Sequence, residues 1–175
     1  MRRGFGLGSA IMMLTLCCHA QTTKSGESAK NDAPKPNFSL DISSPSNPVR
    51  LGSQLKVTLM VTNISGGEIG WESYRPDTAY RGFGFLLTKD GREVETTPYH
   101  RFLSGRIRPD DPLSGGAFSS IVFQVKPGTV LTEAIDLGDL YFVTEPGEYK
   151  LEVSRFDDST KSTARSNALV LKIVR

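Results

Sequence analysis

The fold is decided by residues 126–153, which run Lys-Pro-Gly-Thr-Val-Leu-Thr-Glu-Ala-Ile-Asp-Leu-Gly-Asp-Leu-Tyr-Phe-Val-Thr-Glu-Pro-Gly-Glu-Tyr-Lys-Leu-Glu-Val. Two strand patterns are joined here through a turn, and Pro146-Gly147 delivers Tyr149 to the start of the second. Alternation of apolar and polar side chains in these patterns is typical of antiparallel strands with one buried face. The segment therefore predicts a β-fold, but it does not indicate a catalytic or binding activity.

Further strand patterns lie on both sides of this segment. The clearest spans 54–63, and one face of it carries Leu55, Val57, Leu59 and Val61. The same period of two appears in residues 38–42, 83–88, 118–125 and 169–173. Within 118–125 it predicts that Ile121, Phe123 and Val125 point inward. After residue 20 no stretch of ten or more residues has a helical period, so the predicted fold class is all-β.

The connections between these strands are predicted from their turn chemistry. Asp90-Gly91 accepts the positive φ of a tight turn, so residues 92–97 should pair back on 83–88. Residues 98–116 hold three prolines and form the longest irregular insertion. Residues 157–166 are polar throughout and are expected to form a mobile loop.

The corner before Tyr149 is typical of an immunoglobulin-like sandwich, in which a tyrosine buries its ring and bonds to backbone upstream. We expect the Tyr149 hydroxyl to cap backbone near residues 139–141, and Trp71 to be the buried tryptophan of strand C. Residues 37–175 are predicted to form a single immunoglobulin-like antiparallel β-sandwich of about seven to nine strands. The predicted structural residues are Trp71, Tyr141, Pro146, Gly147 and Tyr149.

The chain resembles secreted bacterial domains of two families over most of residues 54–153. The N-terminal β-domain of deuterolysin-type metalloproteases has counterparts, in order, of Thr62-Asn63, Lys89-Asp90-Gly91-Arg92-Glu93-Val94, Asp136-Leu137, Tyr141 and Pro146-Gly147-Glu148-Tyr149. BsuPI-type proteinase inhibitors share Val61-Thr62-Asn63-Ile64-Ser65 and a Pro-Gly-x-Tyr close. Because the shared residues are turns and core positions, the resemblance implies a fold far more than a function.

The first 20 residues predict export. Arg2 and Arg3 precede an apolar run that is too short to span a bilayer, and small residues precede an expected cut after Ala20. In the alternative reading the protein is a lipoprotein, lipid-anchored through Cys17 or Cys18. Either reading predicts a secreted or periplasmic protein.

Removal of residues 1–20 leaves a formally neutral chain. Two of the 21 basic residues leave with that segment, so 19 Lys plus Arg remain against 19 Asp plus Glu. A neutral chain lacks the excess of positive charge that is typical of nucleic-acid binding, so no nucleic-acid partner is expected. Residues 21–36 have no large apolar side chain and are expected to form a disordered leader. No later apolar run is long enough for a transmembrane segment.

Few residues in the chain suit catalysis or metal binding. After residue 20, His100 is the only histidine, which excludes H-E-x-x-H and His-Cys zinc sites by count. We expect His100 to be a partly exposed loop or edge residue, and the N-x-Ser patterns at Asn37 and Asn63 to be structural. No catalytic residue, metal or cofactor is predicted, and the protein is not expected to be an enzyme.

Aromatic and arginine side chains interleave between residues 71 and 108, and these types dominate binding hot spots. The candidate binding residues are Tyr74, Arg75, Tyr80, Arg81, Tyr99, Arg101, Phe102, Arg106 and Arg108. In the competing interpretation the aromatics fill one end of the core and the arginines solvate its rim. The leading hypothesis is a non-enzymatic binding or structural module of the cell envelope, with a protein or glycan partner. The alternative is a proteinase inhibitor that acts through an exposed loop such as 99–113.

Overall fold

A computed structural model describes residues 34–74, 82–111 and 120–175, with only the backbone of Ser73 and Tyr74. The predicted signal peptide over 1–20 and the predicted leader up to residue 33 lie outside the described residues. Ala33–Arg175 forms one compact unit.

Within the described residues the chain forms eleven strands and two short helices. They are β1 Phe38–Ser43, β2 Val49–Arg50, β3 Lys56–Asn63, β4 Ile69–Tyr74, β5 Phe83–Lys89, β6 Arg92–Glu93, α1 Pro98–Leu103, β7 Ser120–Val125, β8 Val130–Asp136, α2 Leu137–Leu140, β9 Gly147–Asp157, β10 Ser162–Arg165 and β11 Leu169–Val174. The strand count exceeds the expected seven to nine, in part because β2 and β6 are only two residues long.

The strands form an all-β antiparallel sandwich, which confirms the predicted fold class. One sheet has the order β1-β3-β8, and the other has the order β2-β11-β9-β5-β6 with β10 on β9. The first order matches strands A, B and E of an immunoglobulin sandwich, while β5, β9 and β11 match C, F and G. Among the strands that the structure describes, only the short pairing of β2 with β11 is parallel. β4 and β7 form a separate ribbon of two strands.

The predicted inward faces of the two central strand patterns are confirmed. Val57, Leu59 and Val61 of β3 are buried, and so are Phe85 and Leu87 of β5. Each such side chain contributes about 1.5–3 kcal/mol when it leaves water, so these faces are the main source of stability.

The segment 157–166 was expected to be a mobile loop, and that expectation is wrong. Strand β9 continues to Asp157, the chain turns, and β10 pairs back on β9 from Ser162↔Asp157 to Arg165↔Ser154. The polar side chains of this hairpin are those of an exposed antiparallel pair, because only Ala164 and Asp157 of it are buried. Polarity alone does not distinguish a solvated hairpin from a loop.

Tyr149 is buried at the start of β9, but the predicted partner of its hydroxyl is wrong. The hydroxyl donates to the Glu145 carbonyl oxygen at 2.7 Å, and not to backbone near 139–141. The reason is the reversal at Pro146-Gly147, where Gly147 has a φ of 145° that L side chains rarely adopt. The turn brings the carbonyl four residues upstream over the end of the phenol ring.

The hairpin at Asp90-Gly91 forms as predicted, with φ values of 52° and 76° at its two turn residues. The paired segment is shorter than predicted, since only Arg92 and Glu93 join the ladder of β5. Beyond them the edge of β5 is occupied by the hydroxyl of Tyr141. Val94 adds one more bond, from its amide to the Leu87 carbonyl oxygen at 2.9 Å, and the expectation that residues 92–97 pair with 83–88 is wrong beyond it.

Trp71 is buried, but not on the strand that corresponds to C. It lies on β4, which pairs with β7, whereas the neighbour of β9 is β5. Its ring meets Phe38 edge-on at 5.2 Å between centroids, and the guanidinium carbon of Arg155 lies 3.9 Å from its ring centre. The tryptophan therefore anchors the β4–β7 ribbon to the sandwich.

Candidate binding surface

Those predicted binding residues whose side chains the structure describes do not form one exposed patch. Arg75, Tyr80 and Arg81 lie outside the described residues, and the side chain of Tyr74 is not described. The other candidates lie on α1 or in the segment that follows it, and they differ widely in exposure.

Helix α1 turns part of the predicted irregular insertion 98–116 into a core element. The Thr97 hydroxyl oxygen accepts from the His100 amide at 3.1 Å as an N-cap, and Pro98 opens the helix. Phe102 is buried among core residues and Tyr99 is partly buried against them. Phe102 therefore acts as a packing residue and not as an exposed anchor.

Arg101 is committed to an internal ion pair. Its Nε donates to Asp111 Oδ2 at 3.0 Å, its Nη2 pairs with Asp111 Oδ1, and its Nη1 donates to the Thr96 carbonyl at 2.6 Å. The guanidinium, with the Arg108 amide at 2.8 Å, lowers the pKa of the Asp111 carboxyl to about 2. The pair closes the base of residues 104–110, all of which are exposed, Arg106 and Arg108 among them.

His100 was expected to be a partly exposed loop or edge residue, and that expectation is wrong. Only 7% of the residue is exposed, its ring lies 4.9 Å from that of Tyr141, and its Nδ1 has no hydrogen-bond partner. Burial lowers the pKa of the imidazole, and the nearby Arg106 guanidinium lowers it further. The side chain is thus a buried core group whose surroundings disfavour the protonated form.

Of the described residues, no group of three His, Cys, Asp or Glu side chains is placed to hold a metal ion. The buried Asp157 carboxylate is used internally, since it accepts from the amides of Asn37 at 2.7 Å and Ser159 at 3.0 Å. It lies in a cleft of about 410 Å³ lined by β4, the start of β1 and the β9–β10 turn. These contacts tie the first strand to that turn.

A surface that the sequence analysis missed lies on the β4–β7 ribbon. Side chains on one face of β7 become steadily more exposed along the strand, from 3% at Val125 to 38% at Phe123 and 74% at Ile121. Val122, which points to the other face, is 64% exposed. The prediction that Ile121 and Phe123 point inward is wrong, because the ribbon leaves the sandwich towards its Tyr74↔Ser120 end.

The opposite end of the ribbon is firmly held by Asn63. The buried Asn63 side chain donates from Nδ2 to the carbonyls of Val125 at 2.8 Å and Gly67 at 2.9 Å. Its Oδ1 accepts from the Ser65 amide at 2.9 Å. The amide of this N-x-Ser pattern is therefore occupied by structural bonds, and one anchored end supports one projecting end.

The projecting strand also differs from the others in charge. β7 reads Ser-Ile-Val-Phe-Gln-Val, and it alone among the eleven described strands contains no charged residue. Three consecutive exposed apolar side chains on an uncharged strand favour contact with another apolar surface.

No family model matches the chain, and no curated protein is detectably similar to it. Among the described residues, no helix has the length and apolar character needed to cross a membrane.

Proposed function

We propose that the protein is an exported, non-enzymatic β-sandwich module of the cell envelope that binds a protein partner through the projecting end of β7. The observation that carries this function is the rise in exposure from Val125 through Phe123 to Ile121. A soluble domain gains nothing in stability from apolar side chains that project into water, so a contact surface accounts for them best.

The chemistry of β7 favours a protein partner over a glycan. Ile121 and Val122 are aliphatic, and the strand has no charged group to orient sugar hydroxyls. Protein interfaces have apolar centres with few charges, and β7 matches that composition. The burial of His100 supports a non-enzymatic role, because a general base must reach its substrate.

Affinity capture from a solubilised envelope fraction tests this function. Wild-type protein should retain a partner that Val122→Lys retains at least about tenfold less, since a buried charge costs more than 1.4 kcal/mol. Val170→Lys is the matched control, because Val170 is 51% exposed on β11, outside the ribbon. Equal retention by all three proteins would overturn the proposed surface.

A second candidate function, proteinase inhibition, is favoured by the loop 104–110. Every residue of this loop is exposed, and its base is closed by the Arg101–Asp111 pair and by a bond from the Arg106 amide to the Arg101 carbonyl at 2.8 Å. A loop that is pre-organised and presents an arginine suits a protease with an acidic specificity pocket.

Inhibition is tested with trypsin-like proteases and a small chromogenic substrate. Hydrolysis should slow in the presence of wild-type protein and recover with Arg106→Ala, while the exposed Arg165→Ala on β10 should still inhibit. Unslowed hydrolysis with wild-type protein would remove this candidate.

A further inference from the structure

The free edge of β7 lacks the features that normally keep strand edges apart. Natural edge strands carry charged residues, prolines or bulges that block pairing with another chain. β7 has no charge, no proline and no glycine over its six residues. Its regular register with β4, from Ile69↔Val125 to Tyr74↔Ser120, has no bulge.

The ribbon is also incomplete as a sheet. Two strands alone are marginally stable in water, and a third strand is needed for independent stability. Within the described part of the chain β7 pairs with β4 only. The Arg155 side chain of β9 contacts β4, where its Nη2 donates to the Glu72 carbonyl at 3.4 Å. Among the described strands none pairs with the other edge of β7, and we place the further strand there.

We propose that this strand is β7 of a second copy, paired antiparallel across a two-fold axis at Val122. The inference rests on the proposed function, since it names the partner that the same ribbon takes. The result is a four-stranded sheet in the order β4-β7-β7-β4, with both ends anchored in their own sandwiches.

Charge is the property that favours a second copy. Two-fold pairing sets each strand against itself, so any charged residue would face a like charge or lie close to one. Of the described strands, β7 is the one that contains no charged residue. Residues 21–175 as a whole carry equal numbers of basic and acidic residues. An axis at Val122 places Ile121 opposite Phe123 of the other strand, so all three exposed apolar side chains enter the interface.

Sedimentation velocity over a range of concentrations tests the pairing. Wild type and Val170→Lys should form dimers, whereas Val122→Lys and Val122→Glu should each sediment as monomers. Because residue 122 faces its own copy at the axis, an equimolar mixture of the Lys and Glu variants should recover the dimer. Misfolded variants would not regain it, so recovery separates a lost interface from a lost fold.

Each other outcome overturns self-pairing. A wild type that is monomeric throughout excludes the dimer, and Val122-dependent retention of an envelope protein of another sequence would then leave the proposed function standing. A dimer that persists in Val122→Lys places the interface elsewhere. If the wild type is monomeric and retention does not depend on Val122, both self-pairing and the proposed surface fail.

Discussion

The Tyr141 hydroxyl donates to the Phe85 carbonyl oxygen at 2.8 Å and accepts from the Leu87 amide at 3.3 Å. Both groups lie on the edge of β5 that faces away from β9, because residues two apart in a strand present their backbone to the same side. One phenol thus takes the place of a neighbouring strand at this edge. Burial raises the pKa of the phenol, so it stays protonated and keeps its donor.

Tyr141→Phe should destabilise the fold by about 1–3 kcal/mol, because it leaves a buried carbonyl and a buried amide without their partner. The free energy of unfolding from urea denaturation measures this cost. A midpoint equal to that of the wild type would show that water or backbone replaces the hydroxyl.

Tyr149→Phe should cost less, about 1 kcal/mol, since its hydroxyl satisfies only the Glu145 carbonyl in a partly buried position. Both substitutions remove a hydroxyl oxygen from a tyrosine, so each serves as a control for the other. A larger loss for Tyr149→Phe than for Tyr141→Phe would contradict the roles assigned to the two tyrosines.

Asn63→Ala should lower the free energy of unfolding by about 2 kcal/mol or more, because two carbonyls lose the buried Nδ2 donor. Amide exchange in β7 should accelerate as well, since Asn63 holds its Val125 end. Asn63→Asp keeps the shape of the side chain and the oxygen that accepts from the Ser65 amide, but it removes the Nδ2 donor. It should therefore have the same two effects. Unchanged exchange in β7 would show that Trp71 alone anchors the ribbon.

The Arg101–Asp111 pair should contribute to acid stability. The pKa of Asp111 in the folded state, about 2, lies below its ordinary value of 3.8, so the folded state binds the proton less readily than the unfolded state. The contribution is therefore present above pH of about 4 and is lost as the pH falls towards about 2. Asp111→Asn should lower the urea midpoint at neutral pH and flatten its acid dependence, whereas the exposed Asp158→Asn should leave both unchanged. An equally steep acid dependence in Asp111→Asn would contradict this role.

His100 should make the fold less stable in mild acid. Burial and Arg106 lower its pKa in the folded state, while Glu93 and a bond with the Leu140 backbone oppose the shift in part. The unfolded chain then takes up the proton first, so stability falls as the pH drops below about 6.5. His100→Phe keeps a ring beside Tyr141. It should make the melting temperature depend less on pH between about 7.5 and about 5. A slope equal to that of the wild type would assign the acid effect to other groups.

Strand faces were predictable wherever both sheets cover them, as at Val57 and Leu87. The same alternation in β7 gave a wrong prediction for Ile121 and Phe123. Periodicity shows which side chains share a face, but not whether another sheet covers that face. Helix α1 had a signal that was overlooked, since Thr97-Pro98 is a typical N-cap and first-position pair. The ion pair between Arg101 and Asp111 had no signal in the sequence, because it depends on how the chain between them folds back in space.

The most direct measurement is site-specific photo-crosslinking in the intact envelope, with the photoreactive residue at position 122 or at position 170. If β7 is the contact surface, position 122 should give a discrete protein adduct and position 170, on the exposed face of β11, should give none. Mass spectrometry of the adduct then identifies a second copy or another protein. No adduct at position 122, with adducts at position 170, would contradict the account.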